Sequence, residues 1–122
     1  MAIHTFETID CGTYRVVNVV GDLDLGNASA LAARIEAASG TCPVVVDLSA
    51  CSYLDSTGLG VFVRHERLHR GQTAIVAPVG HRSLHLLEIT GLALTLNVLP
   101  SLDAAVAFCE APIASATAVT PR

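Results

Sequence analysis

The chain has 122 residues, enough for one domain with a hydrophobic core of its own. Apolar residues make up 52% of the sequence and charged residues 15%, which is typical of a folded globular domain rather than a disordered segment. The net charge is −4, so the composition predicts no surface for nucleic acid. All seven basic residues are arginine, and the absence of lysine excludes P-loop and Schiff-base chemistry.

The sequence predicts a cytoplasmic protein without membrane contact. Its start lacks the charged and apolar regions of a secretory signal. The longest apolar-rich stretch, residues 89–99, is interrupted by polar residues and is too short to span a bilayer. The four cysteines form no CxxC pair, and we expect them to be reduced thiols that fill small spaces in the core.

Hydrophobic patterning predicts two strands at the start of the chain, followed by alternating helices and strands. The predicted strands are residues 3–9, 14–20, 43–48, 73–77 and 95–99. The predicted helices are residues 28–39, 56–70, 81–89 and 102–109. Asn27 is expected to cap the first helix, and residues 49–55 are expected to be a polar connection.

This order predicts a single α/β domain over residues 1–110, with a mixed, mainly parallel sheet. An antiparallel pair of strands begins the sheet, and about four helices pack on it. Residues 111–122 are rich in alanine, proline, serine and threonine without periodicity, and are expected to form a flexible tail.

The most informative segment is residues 53–60, with the sequence YLDSTGLG. It places Ser56 and Thr57 at the start of a helix, on the carboxyl side of the sheet, where α/β domains bind ligands and partners. Free backbone N–H groups and the positive helix end would tolerate an anion there. Gly58 and Gly60 would let another backbone approach closely. An ordinary helix cap with packing glycines explains the same residues equally well.

Residues 44–48 (VVVDL) together with residues 53–60 resemble the signature of STAS domains, and most closely that of bacterial anti-anti-sigma factors, also called anti-sigma factor antagonists. Residues 21–24 (GDLD) resemble the turn before the first helix of that family. Residues 90–92 (TGL) resemble the step after its third helix. The resemblance extends from about Phe6 to Cys109 and implies a STAS-like domain.

The resemblance also implies a function. In that family an anti-sigma factor that is also a serine kinase phosphorylates the serine after the aspartate, here Ser56, and a phosphatase removes the phosphate. Thr57 is a poorer candidate. The unphosphorylated protein binds the anti-sigma factor and so frees a sigma factor for transcription. The implied partner-binding positions are Asp22, Asp24, Asp55, Ser56, Thr57, Gly58, Leu59 and Gly60.

Such a protein is not an enzyme and needs no cofactor. The alternative within the same fold is a STAS subunit of a transporter or of a stressosome-type assembly.

Residues 65–69 spell HExxH, which in zinc peptidases places two histidines one helical turn apart with the glutamate as base. Glu88 is a conceivable third ligand. A small zinc hydrolase is therefore a remote alternative. The neighbouring arginines at positions 64, 67 and 70 oppose a dication, and we expect no bound metal.

Two further patterns are weaker. The segment from residue 19 to Asp24 is similar to the strand and DxD opening of haloacid dehalogenase-type phosphotransferases, but these enzymes need a later lysine that this chain lacks. Asp22, Asp24 and Asp55 could form a magnesium site. Turn and cap carboxylates are the favoured interpretation of these three residues.

Overall fold

One mixed sheet of six strands and four α-helices make up residues 4–111, the part of the chain described by the computed structural model. The strands are β1 (His4–Asp10), β2 (Arg15–Leu23), β3 (Val44–Asp47), β4 (Cys51–Leu54), β5 (Thr73–Val76) and β6 (Val98–Leu99). The helices are α1 (Ala28–Ala38), α2 (Ser56–Leu68), α3 (Arg82–Ile89) and α4 (Leu102–Glu110), with a 3₁₀ turn at Leu92–Leu94. The predicted α/β domain with four helices is confirmed. The predicted tail lies outside the described residues, apart from Ala111.

The strand order along the sheet is β1-β2-β3-β5-β6. β1 and β2 are antiparallel, with Phe6 opposite Val19, and the remaining pairs are parallel. This is the predicted arrangement, an antiparallel pair that leads into parallel strands joined by helical crossovers.

The prediction that residues 49–55 form only a polar connection was wrong, because they contain β4. β3 pairs with the first half of β2, and β4 then pairs with the end of β2, where Leu23 lies opposite Leu54. Cys51 and Leu54 are buried, whereas the two residues between them are exposed. Two apolar positions in four residues are too few for a recognisable alternation.

The predicted last strand, residues 95–99, is confirmed only for Val98 and Leu99. Gly91, with a φ of 79°, ends α3 and leads into the 3₁₀ turn, and Thr95 after that turn still has a helical backbone, so the strand begins later than expected. A positive φ favours glycine because a Cβ would be strained there.

Alternating side chains along the strands divide the interior into two parts. Val44 and Val46 face a larger core covered by α1, α2 and α3, whereas Val45 faces a smaller core covered by α4. Leu59 and Phe62 anchor α2 in the larger core, and this fixes the position of the N-terminus of α2 at the edge of the sheet. No helix within residues 4–111 has the length and apolar composition needed to cross a bilayer.

Candidate functional site

The ends of β2 and β4 bring two acidic segments together at the carboxyl edge of the sheet. Leu23 and Leu54 are partners in the parallel ladder, and the backbone N–H of Asp55 donates to the carbonyl oxygen of Leu23 at 3.3 Å. Asp24 follows β2 and Asp55 follows β4, so the two residues leave the sheet side by side. The sequence placed both at this edge, but it did not show that their strands are neighbours.

The last two residues of β2 and the turn into α1, together called the loop over residues 22–27, are held by the side chain of Asn27, which is buried. Its amide oxygen accepts from the backbone N–H of Asp24 at 2.9 Å, and its NH₂ donates to the carbonyl oxygen of Asp22 at 2.8 Å. Asn27 occupies the N-cap position of α1 but makes no capping hydrogen bond, so its predicted role was wrong. The Asn27 side chain stabilises the loop instead of the helix, because two backbone groups of the loop lie within hydrogen-bonding distance of it.

Asp55 caps α2. Its Oδ1 accepts from the backbone N–H of Thr57 at 2.9 Å and from that of Gly58 at 3.1 Å. Two of the donors that were expected to receive an anion at this helix end are therefore already occupied by a carboxylate. An anionic group added at Ser56 would lie next to that carboxylate.

The two hydroxyl groups at this helix end lie in different surroundings. Ser56 is exposed, and its hydroxyl makes no hydrogen bond to any other described residue. Thr57 is half-buried and lines a groove between α1 and α2 together with Ala28 and Ala32. Ser56 is therefore the more accessible hydroxyl.

The two glycines of α2 have different roles. A Cβ at Gly58 would lie 2.8 Å from Cγ of Leu23 and 2.8 Å from Cδ1 of Leu54, whereas a Cβ at Gly60 would meet no atom within 4 Å. Gly58 thus allows α2 to pack against the ends of β2 and β4. Gly58 and Leu59 are buried, so the expected approach of a partner backbone is open at Gly60 and closed at Gly58.

Ser56 opens onto a surface groove of about 730 Å³ along α2, which we call the Ser56 groove. Its lining consists of Ser56, Leu59, Gly60, Val63, Arg64, Arg67, Leu68, Thr90 and Leu92. Ser56, Gly60, Arg64 and Arg67 recur every three or four residues and so share one face of the helix. Within residues 4–111 neither arginine forms an ion pair. The groove therefore offers apolar surface together with two available cations.

At the other end of α2, His65 is buried and hydrogen-bonded at both ring nitrogens. Nε2 lies 2.7 Å from Oγ of Ser39, and Nδ1 lies 2.6 Å from Oγ1 of Thr73. Because the Ser39 hydroxyl donates to the carbonyl oxygen of Ile35, it accepts from Nε2–H, and the Thr73 hydroxyl donates to Nδ1. Burial lowers the pKa of His65; His69 lowers it further, and Glu36 acts in the opposite direction.

The carboxylate beside the HExxH histidines is Glu36 of α1, and the conceivable third ligand Glu88 lies on the exposed part of α3. Nε2 of His69 is 3.2 Å from Oε1 of Glu36. Glu66 is engaged elsewhere, since its carboxylate accepts from the backbone N–H of Gly71 and from the side chain of Asn97. The motif therefore lacks the free glutamate that a zinc hydrolase needs.

The three aspartates of the conceivable magnesium site do not gather their carboxylates within ligand spacing in the described part of the chain. Asp24 instead accepts from the backbone N–H of Gly26 at 2.9 Å, and Asp55 caps α2. The interpretation of these two residues as turn and cap carboxylates is confirmed.

Comparison with known proteins identifies the same family that the sequence motifs resemble. The family model for the STAS domain matches residues 4–105. The crystal structure of an anti-sigma factor antagonist from Mycobacterium paratuberculosis is 31% identical, covers 88% of this chain and 94% of its own, and has a TM-score of 0.78. The anti-sigma factor antagonist SpoIIAA in its unphosphorylated form is 18% identical over 84% of this chain and 94% of its own, with a TM-score of 0.68.

The Bacillus cell fate determinant SpoIIAA in its phosphorylated form is 15% identical over 84% of this chain and 96% of its own, with a TM-score of 0.60. At these identities the two SpoIIAA structures show a shared fold.

Proposed function

Because the chain belongs to the STAS domain family, as its sequence predicted, we propose that it is an anti-sigma factor antagonist switched by phosphorylation of Ser56. In its unphosphorylated form it binds an anti-sigma factor with serine kinase activity and so frees a sigma factor. Phosphorylation ends that contact, and a phosphoserine phosphatase restores it. In this scheme the protein is a binding module that neither catalyses a reaction nor contacts DNA.

One observation carries the proposal: an exposed serine hydroxyl, without a hydrogen-bond partner among residues 4–111, stands at the start of α2. A kinase needs access to the hydroxyl that it phosphorylates, and Ser56 provides this access without unfolding of the helix. The hydroxyl of Thr57 is less accessible to a kinase, because Thr57 is half-buried in the groove between α1 and α2.

The proposed partner surface combines the loop over residues 22–27 with the exposed positions of α2. Asp22 and Asp24 present carboxylates at the carboxyl edge of the sheet, and a matching basic patch on the partner would make the association rate sensitive to salt. Ser56 and Gly60 lie on the same helix face and form the centre of this surface. Gly58 and Leu59 support this surface from the core.

The phosphate would act mainly through charge. It adds about −1.5 to −2 charges at pH 7, next to the Asp55 carboxylate that already holds two N–H groups at the helix end. Burying this dianion against a partner costs several kcal/mol unless the partner pairs it. A loss of about 3 kcal/mol lowers affinity by more than a hundredfold.

The test is affinity capture followed by titration. Immobilised Ser56→Ala protein is expected to retain an anti-sigma factor from lysate of the source organism, and Ser56→Asp protein is expected to retain much less. The captured kinase is then incubated with ATP and the wild-type protein, and the phosphorylated residue is mapped by mass spectrometry. Ser52→Ala is the matched control, because Ser52 is also exposed and lies four residues away.

Phosphate on Ser56, with Ser52→Ala and Thr57→Ala still phosphorylated, would support the switch. Equal affinity of the phosphorylated and unphosphorylated forms for the kinase would refute it. Capture of a membrane transporter or of an assembly of several STAS proteins would favour the alternative function.

A further inference from the structure

We propose that Glu36, His65 and His69 form a zinc site that joins α1 to the end of α2. The three side chains place one potential ligand atom each within 4.8 Å of one another, and they form the only such group among residues 4–111. This proposal rests on the geometry of the cluster and is independent of the proposed partner switch.

The ligand types and spacing suit zinc. Two ligand atoms on a tetrahedral zinc ion lie about 3.4 Å apart, given bonds of about 2.1 Å. Nε2 of His69 and Oε1 of Glu36 are already 3.2 Å apart. Both side chains are at least partly exposed, so rotations about their own bonds can bring them towards the ring of His65. Two imidazoles and one carboxylate are a protein donor set for zinc in which a water molecule completes the tetrahedron.

Thr73 supplies the outer contact that metal-binding histidines usually have. Its Oγ1 lies 2.6 Å from Nδ1 of His65. When Nδ1–H donates to this hydroxyl oxygen, Nε2 is unprotonated and presents its lone pair to the metal. The metal would then replace the hydrogen bond between Nε2 and Ser39. The ring is neutral in both states, and the change is a shift between tautomers.

The sequence suggests that three arginines near the histidines repel a dication, but in the structure this repulsion is weak. Arg64, Arg67 and Arg70 are exposed, so solvent and salt screen their charges. The Glu36 carboxylate offsets one charge of the dication. Because Glu66 is already hydrogen-bonded to Gly71 and Asn97, the site lacks a general base. We therefore assign the site a stabilising role between two helices and not a hydrolytic one.

The experiment is calorimetric titration of Zn²⁺ into the full chain, first stripped with a chelator that is then removed. Wild-type protein is expected to bind one equivalent of zinc and to unfold at a higher temperature with zinc, because the metal binds only the folded site. His69→Ala and Glu36→Gln each remove a proposed ligand that lies outside the core. Loss of an outer-shell contact typically weakens metal binding by roughly 10–100-fold. His69→Ala removes a direct ligand and is expected to weaken zinc binding by more than that. His85→Ala removes an exposed histidine on α3 and is the matched control.

Two further measurements make the result decisive. Thr73→Val is expected to weaken zinc binding by roughly 10–100-fold, as the loss of an outer-shell partner does. Circular dichroism confirms that each variant is folded before titration. Absence of stoichiometric binding by the wild type would overturn the proposal, as would binding that persists unchanged in folded His69→Ala, because the zinc ligands would then lie elsewhere.

Discussion

The two ends of α2 differ in how their polar groups are used. At the N-terminal end, Ser56 is exposed and its hydroxyl has no partner within the described residues. At the C-terminal end, His65 is buried and both of its ring nitrogens are hydrogen-bonded. A satisfied buried group holds the fold together, whereas an exposed unsatisfied group is available to another molecule. The proposed recognition site therefore lies at one end of the helix, and a group that stabilises the fold lies at the other.

The glycines near the N-terminal end of α2 show the same division within three residues. Gly58 faces Leu23 and Leu54, and Gly60 faces open space. One glycine is required by packing, and the other leaves the helix backbone accessible beside Ser56. This contrast between structural and available positions yields four predictions.

The largest expected effect is on partner binding. Gly60→Arg places a bulky side chain in the Ser56 groove and is expected to lower affinity for the captured anti-sigma factor by more than about a hundredfold, or roughly 3 kcal/mol. Isothermal titration calorimetry measures the affinity, and Gly60→Ala is the control with a small side chain. Unchanged affinity in Gly60→Arg would place the partner surface elsewhere.

The second prediction concerns stability. Gly58→Ala is expected to lower the free energy of unfolding by about 1–3 kcal/mol, because its Cβ would overpack the two leucines. Gly60→Ala is expected to raise this free energy by about 0.5–1 kcal/mol, since alanine favours an open helical position. Urea denaturation measures both. Equal effects of the two substitutions would mean that Gly58 does not contact Leu23 and Leu54.

The third prediction tests the helix cap. Asp55→Ala removes the acceptor for two backbone N–H groups and is expected to destabilise the protein by about 0.5–2 kcal/mol. Asp55→Asn keeps an acceptor and is expected to lose less. If Asp55→Ala has wild-type stability in thermal denaturation, the carboxylate does not act as a cap.

The smallest expected effect is a pH dependence at the other end of the helix, measured in the presence of a chelator. Burial lowers the pKa of His65 below its unfolded value of about 6.5. The unfolded chain therefore binds more protons in this range, and His65 contributes stability above about pH 6.5 that is lost as the pH falls towards its folded pKa. His65→Gln is expected to flatten the dependence of unfolding free energy on pH between 5 and 7, and an unchanged slope would contradict this.

Much of the fold could be predicted from the sequence, because its central strands are clear apolar runs. Val44 to Val46 lie in a run that is apolar on both faces, as a central parallel strand requires. β4 was missed because Ser52 and Tyr53 leave only two buried residues in it. Its existence depends on pairing with β2, which is a tertiary interaction that local patterning does not contain.

The position of Ser56 was predicted, but the different roles of the two glycines were not. Residues two apart on a helix face nearly opposite sides. Leu59 and Phe62 mark the apolar face of α2. Their positions therefore indicate that Gly58 faces the core and that Gly60 faces solvent. Glu36 had no comparable signal, because only the packing of α1 against α2 brings it next to His69.

Asn27 has a further consequence for recognition. With one buried amide it joins the backbone of Asp22 to that of Asp24, so the acidic loop has a defined shape before any partner arrives. Ordering a flexible loop during association costs conformational entropy, and a preorganised loop avoids much of that cost. A partner that docks on this edge therefore meets a backbone that is already ordered.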